Sequence, residues 1–266
     1  IADLPGAASG RLDLQMQDLT VPLVRAYWPP QMAADAYEWV NTHLVAGTVQ
    51  QATMQMSFGP DNGATAVTAL QLTIPVEGAV VDYLPPLPAV REARAVVGLN
   101  LKTLTVDLQH ALVDGMTISN GSVVIAGIDA DNQTIAIDVN AQGAASDLVR
   151  LLETTPLDFL DSNSFRPDAA GGHFEARVRL NFPLREDLDA DEMKVAVSAI
   201  TNGVSIALPP PIDIALSEGN LRFAVTERSL EAVGTLAING VRGSLDWVED
   251  FRPATPLQRR IDFRAD

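Results

Sequence analysis

Apolar and polar side chains alternate one for one through most of this chain. A period of two fits a β-strand with one dry and one wet face, and fits little else. Leu12, Leu14 and Met16 alternate with Asp13, Gln15 and Gln17, and Met54, Met56 and Phe58 with Gln55 and Ser57. Leu104, Val106 and Leu108 repeat the pattern, as do Ile135, Ile137 and Val139, and then Leu221, Phe223 and Val225. The run from Phe174 through Val178 to Phe182 reads as the longest, set against Glu175, Arg177 and Arg179. Between the runs stand Asp61-Asn62-Gly63, Asp114-Gly115, Asn120-Gly121, Asn202-Gly203 and Asn239-Gly240, which read as hairpin turns. About 14 strands fit this template. Alternation joined by short turns means antiparallel sheet.

Only two stretches read as helix. Pro29-Pro30 opens the first; Met32, Ala36, Val40 and Leu44 recur at i+4 beside Trp39, and Gly47 ends it. Its other side offers Gln31, Asp35, Glu38 and Asn41. A membrane-surface helix carries Lys and Arg there, so this one is expected to lie across an end or edge of the sheet, with Trp39 in its core contact. The second starts at Ser146 as N-cap, runs through Leu148, Val149, Leu151 and Leu152, and stops at Pro156. Gly47 and Gly172 stand 125 residues apart, as do Gly78 and Gly203, and Leu84-Pro85-Pro86 is matched by Leu208-Pro209-Pro210. The spacing predicts two similar helix-plus-meander units, residues 1–143 and 144–266, in one continuous sheet.

A sheet of 14 strands of eight residues measures about 67 by 26 Å, roughly 1,700 Å² on one face. Two short helices cover roughly 480 Å² of it. An open apolar patch of the remaining size is abnormal on a soluble monomer. The sheet must curl onto itself, pack on another sheet, or hold an apolar ligand. The candidate lining is Leu12, Leu14, Met16, Met54, Met56, Phe58, Leu104, Val106, Leu108, Ile135, Ile137, Val139, Phe174, Val178, Phe182, Leu221, Phe223 and Val225. It holds few polar groups to orient one shaped molecule, which suits generic acyl chains. A closed sandwich with a filled core stands as the alternative.

Charge and chemistry narrow the function. With 18 Lys+Arg against 34 Asp+Glu the net charge is −16, which argues against nucleic acid. No Cys occurs, so thiol catalysis, disulfides and Cys-based zinc sites are excluded. His43, His110 and His173 have no metal-ligand spacing. The acidic runs 187–192 and 129–132 lack the Gly that a calcium loop needs at its sixth position. No nucleophile elbow or phosphate loop is present, and Asp138 and Glu175 lie on the wet face, a poor place for acid–base work. No catalytic residue, metal or cofactor is assigned. No apolar run reaches the length of a membrane span, and an N-terminal Ile1 reads as a piece of a longer protein.

The segments Trp28-Pro29-Pro30, Trp39-Val40, Gly47-Thr48-Val49 and Gln51-Ala52, with the Leu84-Pro85-Pro86 turn and the closing strands Gly234–Ile238 and Leu245–Trp247, resemble the large AsmA-like bacterial envelope proteins. The likeness is to their YhdP-type branch, related to TamB, and runs from about residue 10 to residue 250. The resemblance implies a long, curled, half-open antiparallel sheet, taco-like in section, with the two helices capping it. It implies non-enzymatic binding and conduction of phospholipid acyl chains between inner and outer membrane. The location would be the periplasm, with an inner-membrane anchor outside this fragment and envelope proteins as possible partners. The alternative is a periplasmic scaffold or assembly factor for outer-membrane proteins, working through sheet edges.

Overall fold

The computed structural model describes residues 9–27, 34–61, 64–83, 86–154, 170–185, 188, 192–208, 213–251 and 259–266, with the backbone alone at 34–36 and 152–154. Thirteen strands form one sheet in strict sequence order. They are β1 (Gly10–Thr20), β2 (Leu44–Asp61), β3 (Ala64–Val81), β4 (Val90–Asn100), β5 (Thr103–Val113), β6 (Met116–Ala126), β7 (Thr134–Ala144), β8 (Ala170–Pro183), β9 (Lys194–Leu208), β10 (Ile214–Thr226), β11 (Ser229–Ile238), β12 (Val241–Asp250) and β13 (Arg259–Ala265). Every neighbouring pair is antiparallel. The expected antiparallel β fold holds, with thirteen strands among the described residues where about fourteen were expected. β1 and β13 do not meet, so the sheet is open and no barrel closes.

Among the described residues three short helices interrupt the meander where two were expected: α1 (Val21–Tyr27), α2 (Ala34–His43) and α3 (Ala145–Thr154). α1 is barely two turns of VPLVRAY, too short for a 3.6-residue period to show, and Pro22 sits in a first turn, where its missing N–H costs nothing. α2 ends earlier than the stripe suggested. Leu44 already belongs to β2, and Gly47 lies inside that strand. Trp28, Pro29, Pro30, Gln31 and Met32 lie outside the described residues, as do Leu84, Pro85, Pro156, Pro209 and Pro210. α3 lies where the second helix was expected but begins at Ala145, so Ser146 stands inside its first turn and is not the N-cap. Asp147 in that turn bonds to Arg150.

The core contact expected of Trp39 is not made. The side chain is 47% exposed and its ring lies 5.4 Å from that of His43. What docks the first two helices is Arg25. Its Nη2 donates to the carbonyls of Val40, Asn41 and Leu44 at 3.4, 3.0 and 2.7 Å, filling orphan acceptors at the end of α2 with a cation that suits the helix dipole. The His43 ring and backbone then tie that end to Asp82 just after β3. Arg25→Ala is expected to lower stability by about 2 kcal/mol, since three partly buried carbonyls lose a charged donor. Trp39→Ala should cost far less than the roughly 3 kcal/mol of a buried aromatic. Urea denaturation of the two variants orders them, and equal midpoints would refute the Arg25 account.

The molecule has little closed core. Its surface is 16953 Å², where a compact chain of 28.4 kDa exposes about 11,000 Å². Many buried side chains are alanines, such as Ala52, Ala111 and Ala232, and Leu236 of β11 is a larger one set among strands. Ala79, Ala93 and Ala111 form one cluster with Val76, Leu108 and Ile118 around them. Val113, Met116 and Phe174 form the other, roofed by Leu148 and Leu151 of α3. All the described strands belong to one open sheet, and among the described residues no second sheet covers its face.

A line of backbone irregularities crosses the strands. Register shifts occur at Gly47 in β2, Gly78 in β3, Glu92 in β4, Asn120 in β6, Gly172 in β8, Gly203 in β9 and Glu218 in β10. All of these residues have positive φ. Asn120-Gly121 and Asn202-Gly203 are therefore bulges inside strands, contrary to the hairpin reading, whereas Asp114-Gly115 and Asn239-Gly240 do turn hairpins. Positive φ serves both purposes, so the dipeptide alone does not discriminate. Each bulge bends its strand and shifts the alternation by one. In β3 the apolar set passes from Leu72, Ile74 and Val76 to Ala79 and Val81. The small side chains Ala79, Ala93 and Ala111 fall along this line, where a bent sheet crowds its inner face. We propose that the 125-residue spacing marks two similar helix-plus-meander units, residues 1–143 and 144–266, in this one sheet.

Candidate functional site

Residues opposite each other on antiparallel neighbours project to the same side, so the register traces the two faces directly. One row runs Leu14, Met54, Leu72, Leu99, Leu104, Ile125, Ile135, Phe182 without a polar member. Beside it runs Ile74, Val97, Val106, Val123, Ile137, Leu180, Val195. A third row runs Val139, Val178, Val197, Val225, Leu230. Met56 pairs with Leu12, Met16 with Ala52, Phe58 with Val67, Leu108 with Gly121, Phe223 with Ala232 and Leu221 with Gly234. All eighteen residues singled out from the sequence therefore share one face. Phe174 differs from the others: it is 4% exposed beneath α3 and closes the end of the trough instead of lining its open part. Leu12 and Leu14, on the free edge, are each 40% exposed.

The sequence reading omitted members of this lining. Leu70, Leu72, Ile74 and Val76 of β3 and Val97 and Leu99 of β4 complete the rows. Their alternation was readable, but the polar positions between them hold Ala69, Pro75, Val96 and Gly98, which blurs the period. Trp247 of β12 also faces this side, opposite Ala232 and Ile261. Its indole N–H donates to Glu249 at 3.2 Å.

The opposite face is polar. Asp107, Ser122, Asp138 and Arg179 stand in register, and Arg177 makes a two-pronged contact with Asp138 at 2.7 and 2.8 Å. That hydrogen bond, with the charges of Arg177 and Arg179, holds the Asp138 carboxyl below its ordinary range. A lowered folded value stabilises above the ordinary carboxylate pKa, and the benefit is lost as pH falls through the folded one. Water still reaches the carboxyl, whose side chain is 34% exposed, and keeps the effect small. Arg177→Gln is expected to move the Asp138 titration upward toward the ordinary range, followed by carboxyl NMR; an unmoved titration would exclude Arg177 as the cause. Two shallow open depressions of about 320 Å³ flank Asp138 on this face. Around Asp138, Arg179 and Lys194 the first is lined mainly by small and apolar side chains, and the second is lined by Asn120, Asn140, Asp138 and Arg177.

Among the described residues, no cluster of three or more His, Asp or Glu is placed to hold a metal. Asp129 and Asp131 lie in the turn between β6 and β7, while most of the run 187–192 lies outside the described residues. His110 pairs with Ser119 within the sheet and His173 with Ala144 and Asn202. No described helix is long and apolar enough to cross a membrane.

No curated protein and no solved structure shows significant similarity to the chain. The model of the YhdP protein family, in contrast, matches residues 2–241, which takes in every strand from β1 to β11. An open antiparallel meander whose one face is apolar from strand to strand is thus the architecture of a member of the YhdP family, to which this chain belongs.

Proposed function

We propose that the apolar face is a trough that binds phospholipid acyl chains and passes them along its length. On this reading the chain is a non-enzymatic segment of a bridge between the inner and outer bacterial membranes. It works in the periplasm as part of a protein anchored in the inner membrane outside this fragment. The observation that carries the reading is continuity: the apolar rows cross from β1 to β11 with no charged side chain among the paired residues. A pocket for one ligand would break off within a few strands and would place polar groups to orient it. The width also fits, since 13 strands at the standard spacing span about 58 Å, longer than any single acyl chain. Membership of an envelope family agrees with this use.

Native mass spectrometry of the purified chain, with extraction and identification of whatever co-purifies, tests the reading. Glycerophospholipid or fatty acid bound in more than one copy is the expected result. A chain that emerges lipid-free and also fails to take up a fluorescent fatty acid would overturn it.

The scaffold alternative draws on β1, whose outer edge is unpaired among the described strands. That edge has no proline or lysine to blunt it. A proline at Gln15 would disable an edge scaffold and spare a lipid trough, so the two readings separate on one variant.

A further inference from the structure

The trough changes character at one end. The third apolar row, from Val139 to Leu230, continues across β12 and β13 onto Glu249 and then Arg259. These are the first charged side chains to enter a row that is apolar over all its preceding strands. They face each other directly, with Arg259 Nη2 on Glu249 Oε1 at 2.7 Å and Nε on Oε2 at 3.1 Å. Trp247, on the same face, donates its indole N–H to the same carboxylate. The Arg259 side chain is 62% exposed, while that of Glu249 is 19% exposed.

Cross-strand geometry does not demand these charges. The matching place between β6 and β7, 124 residues earlier at both positions, holds the pair Ile125 and Ile135. A sheet that closes this position with two isoleucines in one half and an ion pair in the other has gained a polar group where apolar packing was available. We infer that the Glu249–Arg259 pair is a headgroup site for a zwitterionic glycerophospholipid, its ammonium on Glu249 and its phosphate on Arg259, with the acyl chains lying along the row from Leu230 toward Val139. The inference rests on the trough reading proposed above and adds the lipid class.

The chemistry is complementary. A carboxylate with two partners keeps lone pairs for an ammonium, and a guanidinium bound through Nη2 and Nε keeps further N–H groups for phosphate oxygens. A phosphoethanolamine group carries both charges a few bonds apart, as the pair does. An anionic phosphoglycerol headgroup meets Arg259 alone and is repelled by Glu249. A headgroup-free lipid meets neither and leaves the charges beside its glycerol.

Competition against a fluorescent fatty acid tests this, using phosphatidylethanolamine, phosphatidylglycerol and diacylglycerol of identical acyl chains on the full chain. The parent should prefer phosphatidylethanolamine over the other two by about fivefold, the scale of a partly solvated ionic contact. Glu249→Ile with Arg259→Ile, which copies Ile125 and Ile135, should erase both preferences and leave diacylglycerol bound at least as well as before. Glu249→Gln alone should turn the preference toward phosphatidylglycerol, because Arg259 then acts without its neighbour. A parent that binds all three lipids equally, or a double variant that keeps the preference, overturns the headgroup site and leaves the trough standing. A parent that binds none of the three overturns the trough, and the site with it.

Discussion

Aspartate at Val106 or Val178 is expected to abolish acyl-chain binding, at least a hundredfold in affinity, while Gln55→Asp and Ala196→Asp leave it intact. Val106 stands between Val97 and Val123, and Val178 between Val139 and Val197, so a carboxylate at either place has only hydrocarbon beside it. Both positions are half-buried in the open face, and the unliganded protein still lets water reach the new charge. The fold should therefore survive, and the penalty should fall on the bound state, where an acyl chain strips that water away. Removing an unpaired carboxylate from water costs several kcal/mol, and a hundredfold is about 2.7 kcal/mol. Gln55 pairs with Asp13 and Gln71, and Ala196 with Arg179 and Thr226, so aspartate there joins a wet face. Fluorescent fatty-acid titration gives the affinities, and circular dichroism with thermal melting shows whether each variant is folded. Equal losses on both faces, in folded variants, would end the trough reading. Phe174 is unsuitable for this series, because beneath α3 it closes a core and its substitution would report folding.

The ease with which this fold could be read, and the places where it could not, have the same physical origin. Period-two alternation reports which side of a strand is dry, and one dry face per strand, strand after strand, is nearly the whole architecture here. Leu12, Met54, Val106 and Phe182 were found because their neighbours are polar, while Ile74 and Val97 were missed because theirs are Pro75, Val96 and Gly98. The bulges were misread for a different reason. Alternation describes a regular strand, and an inserted residue with positive φ looks in sequence like a turn. Asn120-Gly121 and Asp114-Gly115 are alike as dipeptides, yet one bends β6 and the other joins β5 to β6. The difference lies in the length of apolar pattern that continues on each side. Trp39 failed through tertiary context. The helical stripe is real as a pattern, but Arg25 fastens α2 by the carbonyls at its end and leaves the indole half in water. The charged end of the trough had a readable signal, since stepping by two from Leu245 and Trp247 lands on Glu249. What sequence could not supply was its partner, because the pairing of β12 with β13 places Arg259 opposite it.

The bulge line makes the second large expectation, because Gly78 and Gly203 on it are open to a side chain and Gly172 is not. Gly78 and Gly203 have φ of +62° and +61°, with nothing within 4 Å of where a Cβ would stand. Alanine at either place meets only the backbone strain of a left-handed residue, about 1 kcal/mol, partly offset because the unfolded chain also loses freedom. Gly172 has φ of +88°, and its Cβ would stand 2.6 Å from the Gly203 carbonyl oxygen and 2.7 Å from the Val204 Cα. These are backbone atoms of the paired strand, which cannot rotate aside as a side chain would. Gly172→Ala must either part β8 from β9 or remove the bulge, and removing the bulge moves the residues beyond it to the wrong face. The expected cost is roughly 4 kcal/mol, at the exceptional end for a single substitution. Gly234 in β11, off the bulge line, is obstructed in the same way, since its Cβ would collide with the Asn220 carbonyl. The same step carries a functional consequence. Gly172→Ala, if it folds, should bind fatty acid more weakly than Gly203→Ala although neither glycine presents a side chain to the trough, because the bend that brings the rows together is what has been lost. Urea midpoints for Gly78→Ala, Gly203→Ala, Gly172→Ala and Gly234→Ala should fall into two separated pairs. A Gly172→Ala protein as stable as Gly203→Ala would show that the strands tolerate the added carbon, and the bulge line could not then be what shapes the sheet.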